Sequence, residues 1–221
     1  MFEENFDILR EQMIQEQIIA RDIVSPRILD AMRRVPRHLF VPEPYQHEAY
    51  TDRPLPIGQN QTILEPYISA IMLEALQLSG HEVILEVGTG SGYQTALLAE
   101  LGAMVFSMER RRPLAHRAGK VLADLNYNNV EIYHGDGSQG LADMGPYDAI
   151  LVSAAAPSIP APMLSQLRIG GRIVIPVGSR RIQYLKRIWL VDDEWQHEDL
   201  LKVSLMPLIG RYGFASELGE T

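Results

Sequence analysis

The chain has 221 residues, no cysteine, 46% hydrophobic residues and a formal net charge of −8. Without cysteine there is no disulfide and no thiolate metal site, and the acidic balance weighs against a large nucleic-acid footprint, which needs clustered Lys and Arg. No apolar window approaches ~18 residues, which argues against a helical membrane span. The acidic opening "MFEENFDILREQ" lacks the basic start and apolar core of a signal peptide. A cytoplasmic protein with neither nucleic acid nor membrane as partner is the plain expectation, built as one large domain or one domain with an appendage.

Residues 1–80 are expected to form a helical and loop region packing on the core. Phe6, Leu9 and Met13 fall at helical spacing, and Ser25 followed by Pro26 resembles an N-cap and first helical position leading into Ile28, Leu29 and Met32. "VPRHLFVPEPY" carries three prolines that break any helix, and "RPLPIGQNQTILEP" (53–66) reads as irregular. Pro66 opens a further helix whose apolar residues include Ile68, Ile71, Met72 and Leu76.

From residue 81 to 221 the rhythm changes. Short apolar runs at 82–87, 103–109, 130–135, 147–154 and 171–178 alternate with candidate helices at 92–101, about 113–125 and about 160–168. "YLKRIWLVDDEWQHEDLLKVSLMPLIG" adds one or two strands, possible antiparallel partners around the turn-like "DDE". Alternation of this kind specifies an α/β fold, a doubly wound and mainly parallel sheet with helices on both faces. Its ligand crevice lies beyond the carboxyl ends of the strands.

The first run ends in "LEVGTGSGYQTALLAE", with Gly88, Gly90 and Gly92 between strand and helix. A bare turn needs one or two glycines; three at alternate positions suit close backbone approach to a ligand. The dinucleotide fingerprint fails because position 93 is Tyr, and the phosphate-loop pattern fails because no Gly-Lys-Ser/Thr follows. Glu86 would repel phosphate and welcome a cation. Glu109, at the end of the second strand, can accept both hydroxyls of a ribose, although a surface acid would look the same. Asp136 follows the third strand in "HGDGSQG", where a simple turn is the competing reading. Three acids at successive strand ends describe an adenine, a ribose and a cationic tail without a phosphate receptor. S-adenosyl-L-methionine fits.

"LEVGTGSGYQTALLAE" also resembles the first motif of class I S-adenosylmethionine-dependent methyltransferases, which share a Rossmann-like seven-stranded sheet. Together with "VPRHLFVPEPY", "DRPLPIGQNQTI", "HGDGSQG", "YDAILVSAAAP", "LRIGGRIVIPVG" and "MPLIG", the chain is similar to protein L-isoaspartyl O-methyltransferases over nearly its whole length. The resemblance implies S-adenosyl-L-methionine as cofactor and a peptide or protein bearing a free carboxylate as substrate. It implies that Gly88, Thr89, Gly90 and Gly92 line the methionine and ribose portion, that Glu86 places the amino-acid end, that Glu109 holds the ribose, and that Asp136 and Gly137 face the adenine. The loop from Gln61 to position 64 would close over the reacting centre. The resemblance puts Thr62 and Leu64 at the catalytic position and Ile63, Ser153 and Pro157 on the substrate side. Ser153 equally suits a strand-end cap, and Tyr67 and Tyr93 suit either the cofactor's flanks or the core.

Members of that family typically read Thr-Ile-Ser-x-Pro where this chain reads "TILEP", with Leu64 in the serine's place and Glu65 beside it. Methyl transfer from a sulfonium is an in-line displacement, and a carboxylate with a reference pKa of about 3.9 is already ionised at neutral pH. Alignment and exclusion of water are then the protein's contributions. A serine could donate one hydrogen bond to the acceptor; leucine cannot. Three readings stay open: an isoaspartyl carboxyl methyltransferase, a methyltransferase of the same build acting on another carboxylate, and a non-catalytic cofactor-binding module. The six histidines show no metal-ligand spacing, and no G-x-S-x-G elbow occurs.

Overall fold

The computed structural model describes residues 5–192 and 194–216. Helix α1 (Phe6–Met13) starts at Asn5, whose side chain accepts the Asp7 and Ile8 N–H groups and so satisfies two donors that the first turn leaves open. It runs on through a π-helical turn at Ile14–Ile18. Helix α2 (Pro26–Arg34) has Ser25 at its N-cap, without a side-chain cap bond, and buries Ile28, Leu29, Ala31 and Met32. The proline-rich segment that follows forms 3-10 turns at Arg37–Phe40 and Glu43–Glu48 rather than helix.

The stretch expected to be irregular contains a small antiparallel hairpin, β1 (Leu55–Gly58) with β2 (Gln61–Ile63), pairing Leu55 with Ile63 and Pro56 with Thr62. Gln59 and Asn60 join the strands at φ +54° and +53°, the left-handed pair that a tight two-residue turn requires. A two-stranded edge tolerates the prolines. The hairpin leads directly into α3 (Pro66–Leu76), opened by Pro66 as expected.

The main sheet comprises β3 (Val83–Val87), β4 (Met104–Glu109), β5 (Val130–His134), β6 (Tyr147–Val152), β7 (Leu167–Gly178), β8 (Gln183–Val191) and β9 (Glu194–Val203). Its order is β5-β4-β3-β6-β7-β8-β9. The first five strands run parallel, whereas β8 and β9 pair antiparallel. Helices α4 (Tyr93–Leu101), α5 (Arg112–Asp124) and the single-turn α6 (Ala161–Leu164) lie in the connections. The chain winds outward from β3 to β5 and then returns to β6 on the other side of β3. That reversal is the switch point where such sheets bind ligands. Of the "DDE" turn, Asp193 lies outside the described residues.

Helix α6 is shorter than the expected 160–168. The Gln166 side chain ties together Leu141 N–H and the Gln139 carbonyl, and the Gln166 carbonyl accepts Tyr147 N–H at 2.8 Å. The chain therefore enters the sheet at Leu167. Strand β7 bulges before settling into register, with Leu167 opposite Tyr147 but Arg172 opposite Ala149.

Strand β3 is buried on both faces and divides its side chains by period two. Ile84 joins an apolar cluster with Leu97, Leu98, Leu73, Met32 and Ile14, so residues from the first eighty share this core. Leu85 and Val87 face a second cluster with Ile150 and Ile173. Each such fully buried aliphatic side chain contributes about 1.5–3 kcal/mol. Among the described residues no helix is long and apolar enough to cross a membrane.

Candidate active site

At the carboxyl end of β3 the backbone turns sharply through Gly88, Gly90 and Gly92, with φ of +97°, +54° and +90°. Gly88 N–H is fastened to the Met108 carbonyl at 2.8 Å, which ties the loop to β4. Gly92 serves a different purpose from the one expected. It sits behind the ligand-facing surface at the N-cap of α4, where a Cβ would stand 3.1 Å from Ala118 Cβ of α5. Its lack of a side chain lets two helices approach, and L-residues avoid its φ.

The three acids separate into three environments. Glu109 lines the cleft at 7% exposure, its Oε2 accepting Gly90 N–H at 2.9 Å and its Oε1 accepting Arg111 N–H at 2.7 Å. Each oxygen retains a lone pair for a further donor.

Glu86 does not reach the cleft, contrary to expectation. It lies on the same face of β3 as Ile84, is 0% exposed, and accepts hydroxyl protons from Thr95 at 2.5 Å and Ser107 at 2.6 Å. Burial raises its pKa to about 8 despite those two donors, and the charge on Glu109 pushes it the same way. Burial therefore favours the protonated carboxyl, and Glu86 buttresses the glycine loop through Ser107, whose hydroxyl also bonds Thr89 at 2.5 Å. Its side chain is not among those lining the cleft.

Asp136 also stands apart from the cleft wall, to which its neighbour Gly137 belongs. Its Oδ1 accepts Ser138 N–H and Oγ–H, while its Oδ2 accepts Arg211 N–H at 2.8 Å and a Gln139 amide proton. Burial alone would raise this carboxyl, but the donors together hold it below the ordinary value. The side chain anchors the C-terminal segment to the β5 edge.

The cleft, about 330 Å³, lies between the glycine loop and β4 on one side and Gln61, Thr62, Ile63, Leu64 and Glu65 on the other. Thr89, Tyr93, Gln94, Arg110, Arg111, Ser153 and residues 204–209 also line it. The volume falls in the range of small-molecule sites. Thr62, Ile63, Leu64 and Ser153 therefore share one cavity with Gly88, Thr89, Gly90, Glu109 and Gly137, whereas Pro157 lies outside it. The Ser153 hydroxyl is buried and finds no hydrogen-bond partner among the described residues. Tyr93 belongs to both of its expected settings: it lines the cleft and is buried, with its pKa raised to about 12 by burial. Tyr67 packs at the core's edge under the Arg21 guanidinium, 4.6 Å from its ring. Among the described residues no cluster of His, Asp and Glu could hold a metal ion.

The sequence reading assigned Arg37 no role. This residue is 0% exposed, its Nε donating to the Ala49 carbonyl at 2.7 Å and its Nη2 to the Leu64 carbonyl at 2.5 Å. Its guanidinium carbon lies 4.7 Å from the Tyr93 ring centre. A charged residue between two prolines in an apolar segment was the available signal.

Residues 9–213 match the family described as protein-L-isoaspartate(D-aspartate) O-methyltransferase. A protein-L-isoaspartate O-methyltransferase of Syntrophus aciditrophicus is 51% identical over 215 residues, covering 96% of this chain and 99% of that protein. One from Synechococcus is 56% identical over 170 residues, 77% of this chain and 70% of that one. Among solved structures, a protein-L-isoaspartate O-methyltransferase superposes with TM-score 0.83 at 26% identity, over 92% of this chain and 67% of its own. A putative protein-L-isoaspartate O-methyltransferase from Plasmodium falciparum, in complex with S-adenosyl-L-homocysteine, gives TM-score 0.80 at 25% identity, over 94% and 99%. Match and geometry agree along nearly the full length, and the chain belongs to the protein-L-isoaspartate(D-aspartate) O-methyltransferase family.

Proposed function

We propose that the chain transfers a methyl group from S-adenosyl-L-methionine to the free carboxylate of L-isoaspartyl residues in peptides or proteins. The observation that carries this reading is one cavity joining the glycine loop and Glu109 to the Thr62–Glu65 loop. The Plasmodium relative's complex with S-adenosyl-L-homocysteine supports the same cofactor here.

The donor set suits that cofactor. Glu109 presents a carboxylate with spare lone pairs for a ribose diol, Gly88 and Gly90 expose backbone, and Val87, Met108, Leu208 and Ile209 supply apolar surface for a flat base. Gly137 packs closely on β3, where a Cβ would stand 2.5 Å from Val87 Cγ1. When bound, the cofactor supplies an electrophilic methyl on a sulfonium sulfur, so that an acceptor carboxylate oxygen forms the new O–C bond while the S–C bond breaks and its electrons stay on sulfur.

The protein's part is to hold and to exclude. Ile63, Leu64, Leu205 and Met206 wall the cleft with apolar surface, which displaces water from the acceptor and strengthens polar contacts inside. Leu64 has no hydroxyl; of those lining the cleft, Thr62 on the same loop and the unpartnered Ser153 are the ones assigned to orient the acceptor. No general base is required, because the acceptor arrives ionised. Holding the reacting atoms in line is worth up to about 7–11 kcal/mol of barrier.

The test is incubation of the purified chain with labelled cofactor and an isoaspartyl peptide, beside its normal aspartyl twin. Base-labile methyl on the first alone is expected. Label on neither, with cofactor binding intact, would overturn this reading, and a labelled acceptor in lysate would then separate another carboxylate substrate from a non-catalytic cofactor-binding module.

A further inference from the structure

The TILEP loop faces an anionic acceptor with a leucine and a glutamate, while Arg110 and Arg111 line the same cleft beside Glu109 on the β4 side. Arg37 lies directly behind the TILEP wall. Its guanidinium holds the Leu64 carbonyl from one side and covers the Tyr93 ring from the other, and both residues line the cleft. Among the described residues it donates to the two carbonyls, also interacts with the Tyr93 hydroxyl, and forms no carboxylate ion pair. An arginine stays charged even when buried, and a buried charge is normally matched by a partner. The groups facing it are Tyr93 from α4, Tyr50 from the segment before β1, and Glu65 from the end of the loop itself. Both tyrosines are neutral at pH 7, with burial raising each. Of these groups, Glu65 is the carboxylate that opposes the guanidinium's charge.

Resting on the carboxylate-methyl-transfer reading above, we propose that Arg37 is a positioning residue for the acceptor: it fixes the Leu64 backbone and supplies, through the wall formed by Leu64 and Tyr93, the positive field that draws an anionic acceptor to this end of the cleft. Arg37 and Glu65 then act on the acceptor with opposite signs. The same field keeps the bound carboxylate ionised to lower pH.

The experiment compares the parent with R37M, R37K and E65Q, using full-length protein, isoaspartyl peptide and S-adenosyl-L-methionine. R37M is expected to raise the peptide KM on the order of tenfold, the size of a charge–charge interaction through protein interior. It should move the acid limb of kcat up by roughly 0.5–1 pH unit and leave the Kd for S-adenosyl-L-homocysteine unchanged. R37K keeps a cation but loses the planar fork that spans the two carbonyls and covers Tyr93, so its peptide KM should fall between the parent and R37M. E65Q should lower the peptide KM and shift the acid limb downward. A parental KM and acid limb in R37M, or equal damage in R37K and R37M, would overturn the proposal in favour of packing alone. If R37M does not fold, E65Q decides, and an unchanged peptide KM there is equally fatal. A parent inactive on the isoaspartyl peptide would instead defeat the functional reading before any variant is compared.

Discussion

Glu86 and Ser107 stand opposite each other on neighbouring parallel strands, and the Ser107 hydroxyl donates to Glu86 Oε2 at 2.6 Å. The carboxyl carries its proton up to a pKa of about 8, raised from 4.5 chiefly by burial. The folded state therefore binds this proton more tightly than the unfolded chain. The resulting stability is complete below about pH 4.5, falls as pH rises through the window, and is lost above about pH 8. Glu86→Gln keeps the shape without the proton, so its melting temperature relative to the parent should climb from pH 5 to pH 9, by the equivalent of a few kcal/mol at ~1.4 kcal/mol per pH unit. A constant difference across that range would show that Glu86 ionises in place without penalty.

Glu109 makes the opposite prediction, on binding rather than stability. Glu109→Gln removes the charge at the end of β4 while preserving size. Hydrogen bonds to a charged group are worth about 1.5–3 kcal/mol each, so Kd for S-adenosyl-L-homocysteine should rise roughly ten- to a hundredfold. The kcat at saturating cofactor should change far less. Calorimetry on the variant checks this; an unaltered Kd would move the ribose away from Glu109.

How far the sequence carried can be traced through these residues. The strand–glycine–helix unit from Val83 to Leu101 was legible because hydrophobic period, glycine spacing and helix pattern all agree there. Glu86 misled because an acid beside the glycines invites a ligand role. Alternation with Ile84 put it on the α4 face, but only the cross-strand Ser107 and the helical Thr95 reveal its burial. The β1–β2 hairpin escaped notice because Pro54 and Pro56 argue against a strand and its turn lacks the Asn-Gly order. Arg37 was hidden for another reason: its partners lie 12 and 27 residues away, so no local pattern records them.

Gly92 and Gly170 both adopt positive φ, at +90° and +79°, but in unlike surroundings. A Cβ at Gly92 meets Ala118 Cβ at 3.1 Å, whereas nothing lies within 4 Å of one at Gly170. Gly170→Ala should cost only the conformational penalty, about 1 kcal/mol. Gly92→Ala should add overpacking of α4 on α5, for a total of about 2–4 kcal/mol. Urea midpoints with unchanged slopes measure both. Equal losses would mean that α5 moves aside at little cost.

Leu64 occupies a half-buried position whose carbonyl is fixed by Arg37, so its backbone should survive a change of side chain. Leu64→Ser places a hydroxyl in the cleft wall at the cost of roughly 1 kcal/mol of apolar burial. One hydrogen bond to the acceptor carboxylate, at about 1.5–3 kcal/mol, corresponds to a gain of about ten- to a hundredfold in kcat/KM on the isoaspartyl peptide if it strengthens in the transition state. Leu64→Ala shortens the side chain without supplying a donor and should show no such gain, which separates the hydroxyl from mere space. If the serine variant only matches the parent while the alanine variant behaves the same, the acceptor is oriented elsewhere, with Thr62 and Ser153 the side chains to vary next.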